Sequence, residues 1–199
     1  MQFTALSLSV FAAAAAASPC YPEPPAPSSS TAATPGSGKF QIQALRSASD
    51  IHFAPFSAAQ NSLFLRLPDQ KASCDKETNS ATFYIQDGGL YLYAASATPQ
   101  QVYVDRSGMG QGKVGYTTGA EPAPRNAERT GWVIDETGNL TLDGASFLAC
   151  PGSIDDAWSL WISTGVEKPA GQEGCLGFSA RTTEVEEPIS CLYTQQGQQ

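Results

Sequence analysis

An all-β domain is the fold class this sequence predicts: a single antiparallel β-sandwich or β-barrel of about ten short strands, preceded by a disordered stalk. Three observations predict it. From residue 40 onward apolar and polar residues alternate over short runs, and apolar residues at helical spacing are nearly absent. Glycine- and aspartate-rich clusters interrupt the alternation at intervals of roughly 8–15 residues, the spacing of hairpin-connected strands. The first 38 residues have a different composition, an alanine-rich apolar run followed by proline, serine and threonine. The lack of a threefold internal repeat sets a β-trefoil behind the sandwich and the barrel.

The elements follow in order. Phe40, Ile42 and Ala44 fall on one face of an opening strand. Ile51-His52-Phe53 reads as a short strand with His52 opposite its two apolar neighbours. Leu63 to Leu67 forms another, closed by Pro68-Asp69. Thr82 to Ile85 and Leu90 to Tyr93 make the clearest hairpin, because Asp87-Gly88 between them supplies the positive φ that a tight turn needs. Val102 to Val104 and Lys113 to Tyr116 flank the glycine-rich turn from Arg106 to Gly112, and Gly131 to Ile134 and Leu140 to Leu142 flank Asp135 to Asn139. Phe147 to Cys150, Trp158 to Ile162 and Cys175 to Ala180 complete the set.

Residues 1–17 carry no charged side chain and build to the apolar run Val10 to Ala17, ending in small residues before Ser18-Pro19. That is the pattern of a secretory signal peptide, too short for a membrane helix of about 20 apolar residues. Residues 18–38 hold six of the 14 prolines with a Ser/Thr run, offer little apolar surface to bury, and read as an extended linker with the composition of O-glycosylated stalks. Residues 39–194 then form the all-β domain, and 195–199 a flexible tail. Export exposes Cys20, Cys74, Cys150, Cys175 and Cys191 to an oxidising compartment, where disulfides persist. No C-x-x-C pair occurs, so no metal site is expected, and no cofactor either. The odd count leaves one thiol over. Cys20, in the stalk, is the natural candidate for it, or else pins the stalk to the domain. The net charge of −8 argues against nucleic acid and anionic membrane surfaces as partners. The polar end after Cys191 gives no expectation of a GPI anchor.

Four segments look familiar. Ala44-Leu-Arg-Ser-Ala-Ser-Asp-Ile-His-Phe53, Gln100-Gln-Val-Tyr-Val-Asp105 with the glycine-rich turn after it, Phe147-Leu-Ala-Cys-Pro151 and Cys175-Leu-Gly-Phe-Ser-Ala180 resemble, in that order, signatures of the fungal cell wall protein PhiA family. The Pro-rich stalk with Cys20 lies outside that pattern. The resemblance implies a secreted fungal wall glycoprotein connected with phialide and conidium development, with relatives among IgE-binding allergens and elicitors of plant cell death. Wall polysaccharide or wall proteins are the implied partners, with host proteins as a further class. Because both lie in family-like strand signatures, Cys150 and Cys175 are expected to pair, and closing that loop stabilises by about 3 kcal/mol in the chain-entropy model. Cys74 and Cys191 remain as a second pair.

The residues offer little for an enzyme. His52 is the only histidine, no G-x-S-x-G elbow exists, and Ser49, Asp50 and His52 are chain neighbours rather than members of separate elements. Asp135-Glu136, Asp155-Asp156 and the run Glu184, Glu186, Glu187 read as turn and surface carboxylates. A non-enzymatic protein is expected. The rival is a carbohydrate-binding or host-interacting module built on Tyr91, Tyr93, Tyr103, Tyr116, Trp132, Trp158 and Trp161. Trp158, Leu160 and Ile162 share a core-like face, whereas Trp161 lies between Ser159 and Ser163 and is the aromatic expected to face a ligand if any does. Asn139 opens the only Asn-x-Ser/Thr sequon, at a turn where an N-glycan projects into solvent.

Overall fold

The computed structural model describes residues 38–197. The leader, the stalk up to residue 37 and Cys20 therefore lie outside the described residues. In chain order the strands are β1 Phe40–Leu45, β2 Phe56–Ala59, β3 Ser62–Leu65, β4 Ser73–Cys74, β5 Thr82–Gln86, β6 Gly89–Leu92, β7 Gln100–Asp105 and β8 Lys113–Thr118. They continue with β9 Ala127–Glu128, β10 Trp132–Ile134, β11 Asn139–Leu142, β12 Phe147–Cys150, β13 Trp158–Ile162, β14 Leu176–Glu184 and β15 Cys191–Leu192. Two short 3-10 turns, Ile154–Asp156 and Pro169–Gly171, are the helical content among the described residues.

Nine of these strands close a barrel in the order β1-β5-β6-β7-β8-β3-β13-β12-β14, and β14 returns to β1. Every pairing is antiparallel, so neighbours can be joined by short turns rather than crossover helices. The fold class is thus the barrel rather than the sandwich. Outside the ring, β2 pairs β3, β9 pairs β7, and the β10–β11 hairpin hangs on β14. The β5–β6 hairpin turns through Asp87 and Gly88 at φ 51° and 73°, the two positive values of a type I′ turn, with Gln86 opposite Gly89.

Side chains fill the interior. Alternate residues of β1 (Phe40, Ile42, Ala44) and β7 (Val102, Val104) point inward and are buried. Phe56 makes edge contacts with Phe147, Phe178 and Phe83 at 5.4, 6.0 and 6.3 Å between ring centroids, and Trp132 lies along Phe147 at 6.1 Å. Offset and edge geometries of this kind are the favoured ones for buried rings.

Four local differences from the sequence expectation have physical reasons. Ile51 to Phe53 is a turn, not a strand: Ile51 is fully buried while Phe53, at φ +61°, is 61% exposed, so the two apolar residues point opposite ways. β2 escapes a periodicity search because all four of its residues are buried, which erases alternation. β4 and β15 are two residues each, and what aligns them is a covalent bond, Cys191 lying opposite Cys74. At the C-terminus the Gln196 N–H donates to Asn61 Oδ1, so the chain stays on the barrel past residue 194.

The bridges are Cys74–Cys191 and Cys150–Cys175, separated by 117 and 25 residues. In the chain-entropy model the longer loop contributes about 5 kcal/mol against roughly 3 for the shorter. Paired Cys→Ala replacement of 74 and 191 is therefore expected to lower the urea unfolding midpoint more than replacement of 150 and 175. Equal midpoints would place the stabilisation outside loop entropy.

Two buried phenols make stability sensitive to alkali. The Tyr193 hydroxyl accepts the Thr82 N–H at 3.2 Å, and burial pushes its pKa up to about 12. The Tyr116 hydroxyl donates to the Thr194 carbonyl, and burial holds it well above the ordinary phenol range. Between an unfolded phenol pKa of about 10 and the folded value the native state binds more protons than the unfolded one. Stability is therefore intact below pH about 10 and falls as pH rises through the folded values. Tyr193→Phe is expected to flatten that fall, measured as urea midpoints across the alkaline range. A slope equal to wild type would refute the assignment to Tyr193.

Candidate functional site

A filled barrel leaves its recognition chemistry to the outer surface and the loops. Trp161, expected to face a ligand, is buried, at 5% exposure. Its Nε1–H donates to Ser159 Oγ at 3.1 Å, and the Lys113 ammonium lies 5.0 Å from its ring centroid. Lys113 stands directly opposite Trp161 where β8 reaches β13, a pairing between strands far apart in sequence, so the covering residue is invisible in the local pattern. Burial lowers the Lys113 pKa. The remaining aromatics disperse. Trp132 is in the core, and Tyr84 and Tyr91 stack on each other at 5.2 Å on the outside of the β5–β6 hairpin. Tyr103 lies across Gly115, where a Cβ would come within 2.6 Å of its hydroxyl oxygen.

Two open grooves stand out among the described residues. The first, of about 390 Å³, lies between the 46–54 turn and the loop after β3 and is lined by His52, Phe53, Pro55, Ser57, Arg66 and Asn79. Its backbone is held by the Phe53 N–H donating to Ala44 C=O at 2.8 Å and the Ala54 N–H donating to Ile51 C=O at 3.0 Å. These bonds fix Phe53 in the left-handed region with its ring in solvent. The His52 ring lies 3.8 Å from the Phe53 ring at a 34° tilt, and His52 Nδ1 accepts the Arg46 N–H at 3.2 Å. The neutral imidazole therefore carries its proton on Nε2. Arg66, at φ +58°, uses Nη1 to bond Asp50 C=O at 2.8 Å. Asn79 ties the floor together: its Nδ2–H donates to Leu67 C=O, its Oδ1 accepts the Gln70 N–H, and its carbonyl accepts the Ser57 hydroxyl.

The second groove, about 350 Å³, is lined by Asn61, Tyr103, Tyr116, Thr117, Glu121 and Gln196, among others. It is the more polar of the two. Glu121 accepts the Thr118 N–H at 3.1 Å and the Asn61 Nδ2–H at 3.3 Å, while burial, then Glu121 and Asp105, raise the Tyr103 phenol.

The carboxylates singled out from sequence are not brought together. Asp135 Oδ1 accepts the Thr137 N–H and hydroxyl and the Asn139 N–H within its own turn, and the Thr137 hydroxyl, then the Asn139 N–H, hold its pKa below the usual range. Asp155 and Asp156 form a 3-10 turn, and Glu187 pairs at the surface with Lys76 at 3.7 Å. Asn139 opens β11, its Nδ2–H donating to Thr137 Oγ1 at 2.7 Å and its Oδ1 accepting Arg181 Nε–H at 3.1 Å. Sequence reasoning missed Arg106, which grips Glu128 through two nitrogens and reaches Asp143 at 2.8 Å. Both carboxylates push its pKa up, and three lone charges in distant turns give no local signal.

Comparison with known proteins places this geometry in a family. A family profile described as PhiA-like secreted protein matches residues 40–194. The chain is 56% identical over 169 residues to the cell wall protein phiA of Aspergillus fumigatus, covering 84% of this chain and 91% of that protein. It is 51% identical over 156 residues to the cell wall protein phiA of Aspergillus niger, covering 78% and 85%, and 40% identical over 172 residues to that of Arthroderma benhamiae, covering 82% and 91%. No solved structure matches. The profile spans the barrel from β1 through β15, and the chain belongs to the PhiA-like secreted protein family.

Proposed function

We propose that this chain is an exported cell wall glycoprotein that works without catalysis, as a structural component of the wall during phialide and conidium formation. Relatives that carry the name cell wall protein, matched over most of their length, are the observation that carries the reading. The build of the domain supports it: a closed barrel with a filled interior and two disulfides resists unfolding and proteolysis outside the cell. The sole histidine has one ring nitrogen committed to the Arg46 N–H, and the paired carboxylates are committed to turns and surface. In this reading the Pro-rich segment of residues 18–38 spaces the barrel from its anchorage, and Cys20 or sugars on that segment make the attachment. A second reading, recognition of a wall polysaccharide by the barrel itself, is favoured by the exposed Phe53.

Fractionating a culture into medium, detergent-extractable wall and alkali-resistant wall tests the proposal. The protein is expected in a wall fraction, and deletion of residues 18–38 or Cys20→Ala is expected to release it into the medium with the barrel still folded. Wild-type protein confined to the medium overturns the wall role. Release by neither variant transfers retention to the barrel.

Asn139 is part of the same proposal. The tip of the β10–β11 hairpin is solvent-facing, and one Nδ2 hydrogen suffices for the bond to Thr137, leaving the other position for a sugar. Endoglycosidase treatment of secreted protein is expected to increase gel mobility by one glycan, and Asn139→Gln to abolish that shift. Unchanged mobility of the wild type refutes occupancy.

A further inference from the structure

We infer that the groove built by His52, Phe53 and Arg66 is a binding site for a neutral pyranose polymer of the wall. The inference rests on the wall reading above and names the partner of that reading's second form. Its starting point is a backbone outlier. Of the twelve non-glycine residues with positive φ among the described residues, Phe53 is the only aromatic one. A bulky side chain in the left-handed region is strained, and such strain persists where the surroundings enforce it and clusters at binding sites. Here the enforced result is a phenyl ring 61% exposed at the lip of the groove.

The ring has the right company. His52 backs one face of it, with ring centroids 3.8 Å apart, and the Arg46 N–H on Nδ1 commits the neutral imidazole to donating from Nε2. Arg66 is exposed and spends one Nη1–H on Asp50 C=O, which aims the guanidinium and leaves further N–H groups for a ligand. The floor beneath is rigid, because the polar groups of Asn79 and Ser57 are paired with neighbouring backbone. An apolar flat surface with a few fixed donors suits a pyranose whose hydroxyls are equatorial: the C–H face lies on the exposed Phe53 ring and the rim oxygens accept from Arg66 and His52. The volume of about 390 Å³ falls within the roughly 300–1,000 Å³ of ligand sites and has room for a short stretch of chain. The net charge of −8 disfavours polyanions, and the Arg66 guanidinium in the groove disfavours a polycation, which leaves a neutral polymer as the matching partner.

His52 also supplies the assay, since the chain has one histidine and therefore one set of imidazole C–H resonances. Untagged full-length secreted protein is titrated with chitohexaose and, separately, laminarihexaose. At least one is expected to shift the His52 resonances saturably, and which one does so identifies the polymer. Phe53→Ala is expected to weaken binding by about tenfold or more, Phe53→Trp to retain it, and Arg66→Gln to weaken it less than Phe53→Ala. Phe53→Gly is expected to abolish binding while raising the urea unfolding midpoint, because glycine relieves the left-handed backbone. That gain separates loss of a ligand surface from loss of fold. Absence of any shift with both oligosaccharides, or binding unchanged by Phe53→Ala, overturns the inference. If the wild type fractionates with the wall all the same, the wall role stands and the site alone has failed. If it is absent from the wall, the wall reading fails first.

Discussion

Pairing of β1 with β14 makes this domain a barrel. From Phe40 opposite Glu184 to Leu45 opposite Ser179, the contact joins the start of the domain to a strand near its end. Without it β1 and β14 would each present a row of unpaired N–H and C=O groups, an edge on which another chain could add. Closure removes that edge and puts Phe40, Ile42 and Ala44 against Phe178 and Ala180 inside. It also demands that the longest loop of the domain be closed, which is entropically the most expensive step. The Cys74–Cys191 bridge offsets part of that cost, because it links the segment after β14 to the early strands and shortens the loop that closure must span.

The same closure decides where chemistry can occur. Phe56 meets Phe83, Phe147 and Phe178 in the core, so among the described residues packed rings occupy the interior. Polar side chains caught inside are held to specific duties: Gln100 donates from Nε2 to Tyr193 C=O and accepts the Tyr193 N–H, locking the C-terminal segment to β7. The turns hold their residues out with different numbers of backbone bonds. The 46–54 turn is laced to β1 by backbone bonds on both sides of Phe53, which lets it keep an aromatic ring in water.

Much of the fold was legible because most strands bury one face. Phe40 to Ala44, Val102 to Val104 and Leu140 to Leu142 alternate in sequence as they alternate in burial. What alternation cannot reveal is a strand buried on both faces, such as Phe56–Ala59, or a two-residue strand fixed by a disulfide. Barrel and sandwich also share one local pattern. Only the long-range pairing of β1 with β14 separates them, and it leaves no mark on either segment alone. The site was less legible than the fold for the same reason. Trp161 looks exposed from its serine neighbours, yet Lys113, some fifty residues earlier, covers it by cross-strand registry. Phe53 looks like an ordinary strand residue, yet a turn reverses its direction.

Trp161 and Phe53 together show why an aromatic residue's role is set by its partners rather than its type. Burial of a large ring contributes free energy roughly in proportion to area, so evolution of a stable barrel draws rings inward wherever a neighbour can cover them. Trp161 found Lys113, whose aliphatic stem and ammonium cover its face, and the Ser159 hydroxyl satisfies its N–H. Phe53 has the His52 ring against it yet stays exposed, and its backbone lies where a β-carbon is disfavoured. Relaxing that backbone to an ordinary strand would point the ring elsewhere and break the bonds from Phe53 and Ala54 that close the turn. The strain and the exposure are thus one constraint, imposed by the turn.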